Sequence, residues 1–144
     1  MLLKGIDFTG ITVCYFCHDR KGNFVMSFRN KNCRDEHNRW DLGGGGLELH
    51  DKVLKTVAKE VKEEYCTKVI KQEFLGYREL HRKNKGKRTH WIALDFKVEV
   101  DPTKVRNGEP HKFDKVEWFR FETLPSPLHS KTMDFINKYK EKLV

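Results

Sequence analysis

A run of four glycines, Gly43 to Gly46, stands just ahead of a carboxylate-rich segment with helical spacing, and no other feature constrains this chain as much. Four glycines in a row carry a large ordering cost. Such a segment suits a stretch of backbone that must approach something closely, where its carbonyls and N–H groups can reach a metal or a phosphate. A regular element is not expected across it. Any tight loop can use glycines, so it is their position before the carboxylates that makes the signal specific.

The segment from about Asp51 to Tyr65 reads as a helix. Leu54, Val57, Ala58, Val61 and Tyr65 follow the i, i+3, i+4, i+7 spacing of one buried face. Asp51 is placed to cap its N-terminus. The same helix carries Glu60, Glu63 and Glu64. At about 100° per residue, Glu60 and Glu64 lie about 40° apart at one edge of the apolar stripe, with Glu63 about 60° to the other side of Glu60. All three reach the rim of the buried face. A solvated face tolerates such like charges, which repel by only a few tenths of a kcal/mol. At a rim, where water is restricted, unpaired carboxylates cost more. A hard divalent cation such as Mg²⁺ removes that cost and takes oxygen ligands, commonly shared with substrate phosphates.

The stretch "WDLGGGGLELHDKVLKTVAKEVKEEYCT" resembles the Nudix box of the Nudix hydrolase superfamily, the box itself spanning residues 45–67 and about a fifth of the chain. Gly45 takes the glycine position, Asp51 the first acid and Lys59 the place where arginine is usual. Glu60, Val61, Glu63 and Glu64 match, and Cys66 and Thr67 replace the closing glycine and aliphatic residue. Trp40, Gly44, Leu47 and Glu48 fit the lead-in. The resemblance implies an α+β Nudix fold, a mixed β-sheet sandwiched between α-helices, and Mg²⁺-dependent hydrolysis of a nucleoside diphosphate linked to X, with Mn²⁺ as a substitute metal. It makes Glu60 and Glu64 the principal metal ligands, Glu63 a ligand or the base, and the Gly44 carbonyl a further ligand. Lys59 joins the catalytic set. Lys lacks the planar fork of Arg, and Asp51 and Lys59 are expected to form a charge pair bracing the box loop. Arg29 and Glu117 are the candidates for substrate contact, with Glu109 and Asp114 as rival acids, and Trp91 and Phe28 could stack on a base or serve the core.

The rest of the chain fits that order. "ITVCYFC" and "NFVMSFRN" read as a hairpin, "EFLGYREL" as a strand, and "HRKNKGKRT" as a basic loop. "HWIALDFKVEV" alternates, with Ile92, Leu94, Phe96, Val98 and Val100 on a core face and Asp95, Lys97 and Glu99 on a solvent face. It is expected to be a half-buried antiparallel strand. "KVEWFRF" gives a further strand, and Ser130 opens a final helix with Met133, Ile136, Tyr139 and Leu143 inward. No linker or repeat divides residues 1–144, so one domain is expected.

Charge and cysteines bound the function. The formal net charge of +8 favours anionic partners. "CYFCH" matches a haem-attachment spacing, but it lies in a strand-like run where Cys14 and Cys17 point to opposite faces, so free thiols are expected. No apolar run approaches a membrane span and no export signal is evident, so a cytoplasmic protein without a membrane partner is expected. Nucleoside triphosphates lead as substrates, and capped or triphosphorylated RNA 5′ ends are an alternative. A nucleotide- or RNA-binding module without turnover is the reading from a different class. The basic run Arg82–Arg88 reads as a solvated hairpin tip or an RNA guide, and oligomeric state is left open.

Overall fold

The computed structural model describes residues 1–143. Seven strands, β1 (Gly10–His18), β2 (Phe24–Arg29), β3 (Trp40–Asp41), β4 (Gly43–Gly46), β5 (Val69–Asn84), β6 (Lys87–Val100) and β7 (Phe113–Phe119), form one mixed sheet. Helices α1 (Val53–Tyr65) and α2 (Thr132–Tyr139) complete the fold. The main strand order is β3-β2-β1-β6-β5, with β4 added to β1 and β7 to β2.

β1 shows how the two layers arise. Its side chains alternate faces. Val13, Tyr15 and Cys17 enter a core shared with Val57, Val61 and Tyr65 of α1, whereas Phe16 enters one shared with Phe135 and Tyr139 of α2. The helices therefore cover opposite faces, and Cys14 and Cys17 do point apart. All four cysteines are free.

Several local expectations change once strands find their partners. β1 and β2 are antiparallel neighbours across a short turn, as expected of a hairpin, but their ladder is confined to the turn end at His18–Phe24. Instead β1 lies parallel to β6 over nine residue pairs, from Gly10–Trp91 to His18–Glu99. The glycine run is a strand after all, antiparallel to β1 from Thr12–Gly46 to Tyr15–Gly43. β6 is antiparallel to β5 but parallel to β1, and both its faces are covered. Asp95, expected on a solvent face, is 0% exposed because α2 covers that side.

The helix ends differ as well. Lys52, not Asp51, is the N-cap of α1 and makes no side-chain capping bond, while Asp51 accepts from the Glu48 N–H at 3.2 Å. Leu54 and Met133 are exposed rather than inward. α2 begins at Thr132 behind Lys131 rather than at Ser130. Cys66, where a closing glycine is usual, holds the left-handed position with φ 60° and donates its N–H to Lys62 O, a conformation that costs a non-glycine residue about 1 kcal/mol. The basic run is not a loop: β5 and β6 continue to a two-residue turn at Lys85–Gly86, both with positive φ (52° and 79°), as a tight hairpin turn requires.

Candidate active site

The glycine strand and α1 face each other across a very short gap, and this explains the glycines. A Cβ on Gly43 would stand 2.0 Å from the Tyr15 ring, and one on Gly45 2.4 Å from the Glu60 carboxyl carbon. The strand thus lets a tyrosine and a carboxylate lie flat against its backbone. Gly45→Ala should push the flexible Glu60 carboxylate aside without disturbing the core. Turnover is expected to fall about 10- to 100-fold, while the melting temperature moves by no more than a few degrees. Steady-state rates beside a thermal melt would check this, and an unchanged rate would show that the position of Glu60 is unimportant.

Glu64 is only 6% exposed. Tyr15 donates its hydroxyl to Glu64 Oε1, and the Gly44 N–H donates to the same oxygen at 3.2 Å. No described residue donates to Oε2. Burial pushes the Glu64 carboxyl from 4.5 up to about 8; the Tyr15 bond opposes the rise, and the charges of Glu60 and Glu109 add to it. Glu60 is raised too, first by burial and then by Glu63, with Lys59 acting against the rise. Glu63 is exposed on the outer turn.

Glu109 arrives from outside the box. The Arg106 and Gly108 N–H groups donate to the Tyr65 and Glu64 carbonyls at 3.0 and 2.9 Å, which docks the segment before β7 on the end of α1. Glu109 is the extra acid whose charge bears on both Glu60 and Glu64. Glu117 is exposed on β7 opposite Met26, and Asp114 accepts from Asn30 at 3.1 Å. Sequence reasoning named Glu109 only as a rival, because its approach depends on a loop about 45 residues downstream of Glu64.

The oxygens of this cluster converge loosely. Among the described residues, only Glu79, His81 and His90, on the β5–β6 hairpin and not in this cluster, bring three potential ligand atoms within 4.8 Å of one another. The donor chemistry still fits a hard divalent ion: carboxylate oxygens only, their neighbouring charges raising the proton affinity of Glu60 and Glu64, with one oxygen of a buried carboxylate left without a donor. The expected Asp51–Lys59 brace does not form; among the described residues Lys59 has no salt bridge and both side chains are exposed. Its charge acts on Glu60 instead.

Glu64 and the glycine strand border a cleft of about 540 Å³, walled on the far side by Leu80, Arg82 and Trp91 of the β5–β6 hairpin. Arg29 lines it, but its guanidinium is engaged with Asp35 at 3.1 Å and lies 3.6 Å from Asp41. Arg82 is held by Asp35 at 2.9 Å. Arg34, which sequence reasoning missed, lies over the Trp91 ring at 5.2 Å and makes no salt bridge among the described residues, although its charge helps hold the Asp35 carboxyl below its usual range. Phe28 packs on Trp40 at 5.2 Å and belongs to the core.

A family model for the NUDIX domain matches residues 9–139. The chain belongs to the NUDIX family. It is 28% identical over 136 residues to an RNA pyrophosphohydrolase of Bartonella henselae, covering 81% of this chain and 78% of that one. An RNA pyrophosphohydrolase of Bartonella tribocorum is 25% identical over the same shares. Among solved structures, the fold matches a MutT NUDIX hydrolase of Burkholderia pseudomallei with a TM-score of 0.77 at 21% identity, covering 90% of this chain and 97% of the other. A MutT protein of Methanosarcina mazei gives 0.75 at 22% identity, covering 93% and 94%. The expected α+β architecture and the expectation of a Nudix-type hydrolase stand with these matches. No helix among the described residues is long and apolar enough to cross a membrane.

Proposed function

We propose that this NUDIX-family chain, as a single domain spanning residues 1–144, is a Mg²⁺-dependent pyrophosphohydrolase acting on nucleoside diphosphates linked to X, with nucleoside triphosphates as the leading substrates. One observation carries the reading: a buried carboxylate, Glu64, is held by Tyr15 and a glycine strand with one oxygen unpartnered, at the edge of a cleft whose far wall carries cations. Glu60 and Glu64 would hold the cation, with Glu63 and the Gly44 carbonyl as further ligands, and Mn²⁺ would substitute. Bound there, the ion supplies charge neutralisation at the diphosphate oxygens.

The remaining roles belong to the chain. Glu63, exposed beside the two principal ligands, takes a proton from the attacking water where it does not itself ligate. Lys59 sets the charge beside Glu60. Arg34, which makes no salt bridge among the described residues and lies over Trp91, meets the polyphosphate. Arg29 positions the wall through Asp35 and Asp41 rather than meeting substrate alone. Glu117 remains a candidate only for substrates long enough to reach β7. Four free thiols fit a reducing cytoplasm.

A second reading, hydrolysis at a triphosphorylated RNA 5′ end, is favoured by the names of the Bartonella relatives and by the exposed Lys83, Lys85, Lys87 and Arg88 at the hairpin tip beside the cleft wall. Phosphate and pyrophosphate release should be measured over nucleoside triphosphates and a triphosphorylated oligonucleotide, with Mg²⁺ and with EDTA. Release without metal would overturn the metal assignment. No release from any substrate would leave a binding module. Changing Lys83, Lys85 and Lys87 together to Ala is expected to lower the rate on RNA at least about tenfold, more at low salt, and to leave nucleotides within about twofold. An equal loss on both would put the hairpin tip in the nucleotide site.

A further inference from the structure

On the face of the β5–β6 hairpin opposite Leu80, Arg82 and Trp91 lies a second set of ligating side chains. His81 and His90 are directly paired across the two strands, so their rings project from the same face, and Glu79 lies two residues before His81 on that face. The two rings stack at 4.2 Å with 17° between their planes. Glu79 Oε1 lies 3.7 Å from His90 Nε2. All three side chains place a ligand atom within 4.8 Å of the others.

His90 is already oriented for such a role. Its Nδ1 lies 3.2 Å from the Thr9 hydroxyl, and its backbone N–H donates to the Gly5 carbonyl at 2.7 Å. With Thr9 accepting the Nδ1 proton, the free lone pair sits on Nε2. That nitrogen is shielded from solvent and has no hydrogen-bond partner. A ring oriented by an outer bond on one nitrogen, with its other nitrogen unsatisfied beside a carboxylate, matches the way outer bonds orient metal-ligating histidines; the exposed His81 ring, stacked on His90, would turn to aim its own lone pair at the same point.

We propose that Glu79, His81 and His90 form a binding site for a borderline transition-metal ion of the Zn²⁺ type, separate from the carboxylate cluster on α1. Two imidazoles and one carboxylate suit Zn²⁺ and leave a fourth position for water. The oxygen-only set of Glu60 and Glu64 suits Mg²⁺ instead. The ion would tie together β5, which is an edge strand, β6, and the N-terminal turn through Thr9 and Gly5. The same two strands carry Arg82 and Trp91 to the cleft, so occupancy would stiffen the cleft wall from behind.

The test is titration of the whole chain with Zn²⁺, or with Co²⁺ as a spectroscopic stand-in, in a large excess of Mg²⁺ to saturate the oxygen ligands. One equivalent should bind with a dissociation constant at or below about 10 μM. Co²⁺ should give the intense visible bands of a tetrahedral site, and Zn²⁺ should raise the melting temperature. His81→Ala removes an exposed ligand from a surface position and should weaken binding at least about 30-fold. Its Mg²⁺-supported turnover should match that of the parent chain, because His81 does not touch the cleft. Thr9→Val should weaken binding about tenfold through His90 alone. Absence of saturable uptake up to about 1 mM, or uptake unchanged in His81→Ala, overturns the site. A thiolate-to-Co²⁺ band that persists in His81→Ala would assign the ion to cysteine and overturn it equally.

Discussion

Glu64→Gln is expected to lower turnover at least about tenfold, equivalent to about 1.4 kcal/mol, and at the same time to stabilise the metal-free protein at alkaline pH. Both effects follow from the burial of one carboxyl. In the folded chain Glu64 holds its proton up to about pH 8, against 4.5 for the ordinary group. Between those values the folded state binds more protons than the unfolded state, so stability falls as pH rises. The contribution is fully present below about 4.5 and gone above about 8. The slope is about 1.4 kcal/mol per pH unit inside that window. Glutamine has no proton to lose, so this part of the slope vanishes, leaving the smaller rise in Glu60. A divalent cation replaces the proton, so Mg²⁺ should recover the lost stability at pH 8 in the parent chain and much less in Glu64→Gln. Thermal melts from pH 5 to 9, in EDTA and in Mg²⁺, read out these effects without any turnover. A flat profile for the parent in EDTA would mean that burial does not hold a proton on Glu64, and a full rate for the variant would remove Glu64 from the metal site.

Arg78→Met should cost about 3–5 kcal/mol of stability, the loss typical of breaking a buried ion pair from one side. For a chain of this size that is a fall in melting temperature of roughly 10 °C or more. The Arg78 guanidinium grips Asp95 with two bonds of 2.7 and 3.0 Å and donates to the Lys131 carbonyl at 3.2 Å. Tyr139 donates to Asp95 at 2.6 Å, and the Arg78 carbon lies over the Phe135 ring at 5.2 Å. One pair therefore locks β5 and β6 to α2 at the floor of the cleft. Removing the arginine alone leaves the Asp95 charge buried and unpaired. Arg78→Met combined with Asp95→Leu takes both charges away and should recover most of the loss. Urea unfolding of the single and double variants decides it. A single-variant cost below about 1 kcal/mol would mean that water reaches Asp95 and that the pair does not hold the layers together.

These residues mark the boundary between what was legible in the sequence and what was not. The carboxylates of α1 were legible because helical spacing is local: Glu60 and Glu64 fall at the edge of the Val57–Val61–Tyr65 stripe whatever the rest of the chain does. The alternation of Leu94, Phe96, Val98 and Val100 was legible for the same reason, since a strand's two-residue period is a property of its own backbone. The opposite face of that strand was not. Asp95 reads as solvent-facing until α2, about 40 residues later, covers it and supplies Tyr139. The glycine run showed that something approaches closely, but not that it is a strand against which Tyr15 and Glu60 pack, because that depends on pairing with β1. Glu109 joins Glu60 and Glu64 only through hydrogen bonds to the end of α1, and His81 meets His90 only through the register of two strands. Periodicity records which way a side chain leaves its own backbone. Which charge it then meets is set by the burial energy of segments distant in the chain, and here that energy placed Glu109 beside the box carboxylates and left Lys59 without the partner its spacing suggested.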